Sequence, residues 1–123
     1  MVTQEYPITP CSKPRMTQRD RWKKRPSVLK YFAFRDEVKL RGVFVPESDS
    51  WIAFVIPMPS SWSEKKKLDM DGKPHQQSPD VDNMIKALLD AIYEDDCAVW
   101  QIGCEKRWGR TGKIVVKVGL NLP

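Results

Sequence analysis

The stretch SPDVDNMIKALLDAIYEDD, residues 78–96, gathers the side chains best suited to ionic chemistry. Asp80 and Asp82 open it, Lys86 follows one helical turn later, and Asp95 and Asp96 close it. Carboxylates are hard oxygen ligands. One or two of them hold Mg²⁺, or alternatively Mn²⁺, while water and a substrate phosphate complete the shell. A cation held in this way neutralises charge on a phosphodiester and activates water. The same residues also have plain structural uses. Asp82 or Asn83 can cap a helix, and acids at a helix entrance are favoured by its dipole. Asp82 and Lys86 at i,i+4 can form an ordinary pair worth about 0.2–0.5 kcal/mol. Asp-x-Asp alone also holds metal in glycosyltransferases, but a sugar-nucleotide transferase is not the expectation for 123 residues that show no sugar-nucleotide fold. What a cap does not need is carboxylates at both ends of one helix. A chain reversal after Ile92 would return the second pair to the first.

The elements that must position these residues follow from periodicity. From Val81 to about Tyr93, Val81, Ile85, Leu88 and Ile92 form an apolar stripe that Met84 and Leu89 widen. Asp82, Lys86 and Asp90 share another face. Upstream, Ser27 can cap a helix that buries Leu29, Phe32, Ala33, Val38 and Leu40 and stops at Gly42. Residues 51–56, WIAFVI, read as a central strand. SSWSEKKKLDMDG holds a helical turn, and KPHQQSP is loop. AVWQIGCEKRW reads as a strand, GRTG as a turn and KIVVKVGL as the last strand. Residues 5–9 form an edge strand that Pro7 interrupts. This order predicts one α+β domain over residues 1–123, with a mixed sheet of about four strands against two main helices.

Charge is distributed in blocks around the acidic stretch. The whole chain carries +5. Residues 13–30 hold eight Lys/Arg and one Asp, and residues 105–117 hold five Lys/Arg and one Glu. Residues 80–96 hold six Asp/Glu and one Lys. Lys13, Arg15, Arg19, Arg21, Lys23 and Lys24 are candidate phosphate contacts, with Lys106, Arg107 and Arg110 as a second patch. Trp22 either stacks on an exposed base or packs the loop, and Trp108 is ambiguous. Lys65, Lys66 and Lys67 read as a solvated face. A cationic surface draws in DNA, whereas the carboxylates can face phosphate only through a metal ion.

The fuller pattern, PDVDNMIKALLDAIYEDD, resembles the signature of the RusA family of Holliday-junction resolvases, frequent in bacteriophages and prophages. MPSSWSEKKK and KPRMTQRDRWKKRP resemble the same family. The resemblance implies an α+β homodimer that nicks four-way DNA in pairs with Mg²⁺. By position, Asp80 and Asp82 are ligands and Lys86 assists. Asp96 is the downstream acid, with Asp95 as its alternate. Many relatives carry a longer, often Gly-containing turn before the Asp pair, so IYEDD here must turn sharply. A catalytically poor junction-binding accessory protein is the alternative reading.

Other classes are disfavoured. No apolar run approaches the length of a bilayer span, and MVTQEYPITP has no secretory apolar core. Cys11, Cys97 and Cys104 lack zinc or redox spacing and read as inert thiols of a reduced protein, with Cys97 a small core residue. The expected compartment is cytoplasmic, bacterial or in a phage-infected host. No Gly-rich phosphate loop is present. His75, the one histidine, reads as a loop bystander, and Asn83 can support a metal ligand from behind.

Overall fold

The computed structural model describes residues 2–15 and 25–119. Four strands, β1 (Val2–Tyr6), β2 (Ser50–Pro57), β3 (Ile102–Gly109) and β4 (Lys113–Val118), form one mixed sheet in the order β1-β4-β2-β3. Helices α1 (Pro26–Leu40), α2 (Glu64–Met70) and α3 (Val81–Ile92) complete an α+β domain. No described helix is long and apolar enough to cross a membrane.

The sheet is apolar on one face because its strands alternate. Ile52 and Phe54 of β2 lie beside Val116 and Ile114 of β4, and all four are buried. Met84, Ala87, Leu88 and Ala91 of α3 join the same core, as do Tyr31, Phe34 and Val38 of α1. Burying one such large side chain contributes about 1.5–3 kcal/mol. On α3, Ala87 and Ala91 are fully buried while Val81, Ile85 and Ile92 are only partly so. The seam therefore runs beside the apolar stripe rather than along its middle, where small residues leave room for a neighbour.

Strands β2 and β3 run parallel, which demands a long crossover. Residues 58–101 supply it, and α3 is its main element. This connection lays the acidic helix across the sheet. Strand β3 is an edge, yet residues 72–75 cover part of it. The Gly72 amide donates to the Trp108 carbonyl at 2.9 Å, the Trp108 amide to Lys73 at 3.0 Å and the His75 amide to Lys106 at 3.0 Å.

Several local expectations change. Helix α1 begins at Pro26, with Arg25 rather than Ser27 in the capping position, because proline suits the first helical turn. Its buried face is Val28, Tyr31, Phe34 and Val38. Leu29, Ala33 and Leu40 face solvent. Gly42 does stop the helix, at φ 64°, a conformation that glycine adopts without strain. Strand β1 starts earlier than expected and ends before Pro7, so proline terminates it instead of interrupting it. Ala98–Trp100 is not strand, since a single 3₁₀ turn, Asp96–Ala98, precedes β3. Cys97 in that turn is exposed, not core. His75 is buried, its ring 4.3 Å from that of Trp108, and Trp62 lies 4.8 Å from the same indole.

Candidate metal and phosphate site

The first acidic pair sits at the entrance of α3. Asp80, not Asp82 or Asn83, takes the N-cap position, and its backbone carbonyl accepts from the Met84 amide at 3.2 Å. Its side chain makes no capping hydrogen bond. Asp82 lies in the first helical turn, where the helix dipole favours its charge. Both residues are exposed. Asp82 also faces the sheet edge closely enough that its charge adds to burial in pushing the Cys104 thiol up.

At the other end the chain reverses as IYEDD demands. Tyr93 leaves the helix in an extended conformation, and its hydroxyl donates to the Val45 carbonyl. Asp95 then caps the 3₁₀ turn by accepting from the Cys97 amide at 3.1 Å. Hydrogen bonds from Cys97, the backbone amide first, hold its carboxyl below the ordinary range. Asp96 points back along α3 and accepts from the Lys86 ammonium at 3.0 Å. The two neighbours thus separate, one serving the turn and one reaching the helix.

Lys86 also lies 3.2 Å from Asp90. Hydrogen bonds to Asp96 and then Asp90 raise its pKa, so it is an ammonium at neutral pH. It can orient carboxylates or donate to phosphate oxygen, but it cannot serve as a base there. Lys13 completes the cluster with a 2.5 Å contact to Asp90. These residues, with Tyr31 and Arg35, line a cleft of about 440 Å³. Asp90 belongs to the acidic pattern but is not among the residues expected to form the site. Its signal was present as the third position of the Asp82–Lys86–Asp90 face.

Asp90 has a testable electrostatic role. Its side chain is 17% exposed. Burial opposes ionisation, but hydrogen bonds from Lys13 and Lys86 outweigh it and leave the pKa below the ordinary value. A depressed carboxylate contributes stability that is complete above its unfolded pKa and lost as pH falls through the folded one. Urea midpoints of the wild type should therefore fall more steeply below about pH 4 than those of Asp90→Asn. At pH 7 the variant should be less stable by about 1 kcal/mol, a partly exposed ion pair being worth little more. Parallel midpoint curves across that range would remove Asp90 from this role.

Asp80, Asp82 and Asp96 do not form a ready three-carboxylate cage. Among the described residues no three His, Cys, Asp or Glu side chains come together as metal ligands. Two exposed carboxylates near one helix entrance, one of them uncommitted as a cap, do suit Mg²⁺, which retains several waters.

The candidate DNA contacts divide. Arg19, Arg21, Lys23 and Lys24, together with Trp22, lie outside the described residues. Arg15 is exposed, and its carbonyl accepts from Arg25 at 2.5 Å. Lys13 joins the acidic cleft. In the second patch, Arg107 pairs with Glu105 and donates to the Gly72 carbonyl at 2.9 Å. Arg110 lies 2.6 Å from Glu64. Lys106 reaches the carbonyls of Gln77 and Pro79. Of the lysines on α2, Lys66 sits 4.3 Å above the Trp62 ring.

A family model described as endodeoxyribonuclease RusA matches residues 46–119, more than half of the chain. That span holds both acidic pairs, Lys86 and strands β2 to β4, and it begins after α1. No curated protein and no solved structure matches the chain.

Proposed function

Since the chain belongs to the RusA family of endodeoxyribonucleases, we propose that it is a Mg²⁺-dependent, structure-specific nuclease. Its substrate is four-way branched DNA, and as a homodimer it resolves that junction by paired hydrolysis of opposing strands. The observation that carries this reading is the Asp80 side chain, which makes no capping hydrogen bond, beside Asp82 at the α3 entrance and within the family match.

Asp80 and Asp82 would hold the cation, with waters and a DNA phosphate as its remaining ligands. When bound, Mg²⁺ supplies positive charge at the scissile phosphate and lowers the pKa of coordinated water. The protein's own part is positioning. Lys86 keeps its proton and supplies a cation one turn beyond Asp82, which a DNA phosphate would have to draw away from Asp90 and Asp96. Asp90 holds that ammonium from one side and Asp96 from the other. DNA that draws Lys86 towards phosphate would release the Asp96 carboxylate. Cationic side chains of the 13–24 segment would steer the duplex arms, a contribution that weakens with salt.

A labelled synthetic four-way junction and a matched linear duplex, each with Mg²⁺ and with EDTA, test the reading. Paired nicks confined to the junction in Mg²⁺ are expected, leaving 5′-phosphate and 3′-hydroxyl ends. Equal cutting of linear duplex would defeat junction specificity. Junction binding without any cut would favour the alternative, a branched-DNA-binding accessory protein. The absence of a three-carboxylate cage among the described residues is the observation on that side.

A further inference from the structure

We propose that Lys106 is a positioning residue for Asp80, setting the divalent-cation affinity of the Asp80–Asp82 pair rather than contacting DNA phosphate. The inference rests on the metal reading above. Lys106 lies on β3 opposite Phe54 of β2, and this register turns it towards the helix-covered face of the sheet. There its ammonium donates to the Pro79 carbonyl at 2.7 Å and to the Gln77 carbonyl. Pro79 immediately precedes the helix cap, so this contact fixes the peptide that delivers Asp80.

The anchor completes a longer attachment. Residues 72–75 are joined to β3 by backbone bonds between Gly72 and Trp108, Lys73 and Trp108, and His75 and Lys106. The His75 ring packs on Trp108. Burial first, and the Lys106 charge second, push its pKa down and keep it neutral. Beyond His75 the chain becomes exposed through Gln76, Gln77 and Ser78. Lys106 spans this gap, carrying the attachment to the foot of α3. An ammonium has three donors, and two are committed here. A cation so engaged is poorly placed to contact a phosphate backbone as well. Its effect on the metal is preorganisation: a ligand already held loses less freedom on binding.

The experiment compares wild type, Lys106→Met and Lys106→Arg in three measurements. Calorimetric titration with Mn²⁺ alone should show about a tenfold higher Kd for the Met variant, the lower end of the loss typical of an outer support. The Arg variant, which retains charge and donors, should recover most of that loss. Amide exchange across residues 80–84 should quicken in the Met variant. The salt dependence of junction binding in EDTA should keep its slope, whereas loss of a phosphate contact would lower it by about one. An unchanged Mn²⁺ Kd in a folded Met variant overturns the proposal, as does a lowered salt slope. Wild-type protein that binds no Mn²⁺ overturns the metal reading and this inference together, a result distinguishable from equal binding by both proteins. Lys106→Gln carries the same measurements where the Met variant does not fold.

Discussion

Asp80→Asn should reduce nicking of a four-way junction in Mg²⁺ by more than about a hundredfold, the upper end of what even an outer-sphere change costs. Junction binding in EDTA should be retained or tightened. Asparagine has nearly the same shape and is itself a good N-cap, so this substitution takes charge away without removing a capping bond. It also removes a negative charge that faces DNA when no metal is present. Cleavage and binding should therefore move apart, which neither misfolding nor a lost DNA contact would produce. Single-turnover rates and gel shifts on one preparation make the comparison. Asp82→Asn should behave alike, with an added stability cost of about 0.3–1 kcal/mol from its place in the first helical turn. Wild-type nicking by either variant in Mg²⁺ would remove that carboxylate from the site.

Phe54→Ala should cost about 3–5 kcal/mol, read as a lower urea midpoint. Phe54 is only 1% exposed and lies between Ile114 of β4 and Lys106 of β3. A domain of this size is stable by about 5–15 kcal/mol, so the substitution removes much of the total. Leu40→Ala is the matched control. Leu40 is 83% exposed, and its loss should change stability by no more than about 0.5 kcal/mol. Equal midpoints for the two variants would mean that the core is not centred on β2.

Features governed by local pattern could be read from the amino-acid order. The α3 stripe is long and regular, and the WIAFVI run has one plausible structural use. The helical stop at Gly42 depends on a single residue's conformational freedom. Facing was harder. Leu29 and Leu40 are as apolar as the residues that α1 buries, and only the position of α3 and the sheet decides between them. The site divides in the same way. Asp80, Asp82 and Lys86 are one short motif on one helix entrance. The engagement of Lys86 with Asp96 depends on the path of the turn after Ile92, and that of Asp90 with Lys13 on a loop from elsewhere in the chain. Lys106 is a related case: its basic block suggests a phosphate contact, and only the register of β3 against β2 shows which face of the sheet it occupies.

Strand order has a consequence for how the molecule comes into being. Of the four described strands β4 is made last, yet it lies between β1 and β2, and Val2 waits to pair with Val118. During synthesis β1 and β2 therefore have no shared partner, and the apolar face of α3 has only half a sheet to cover. Contacts so distant along the chain slow folding and prolong exposure of unpaired edges. Interrupting translation before Lys113 would leave every acidic residue of the motif in place and yet no seam to hold the sheet together. Such a fragment should be prone to aggregation and sensitive to proteases, however complete its site looks on paper.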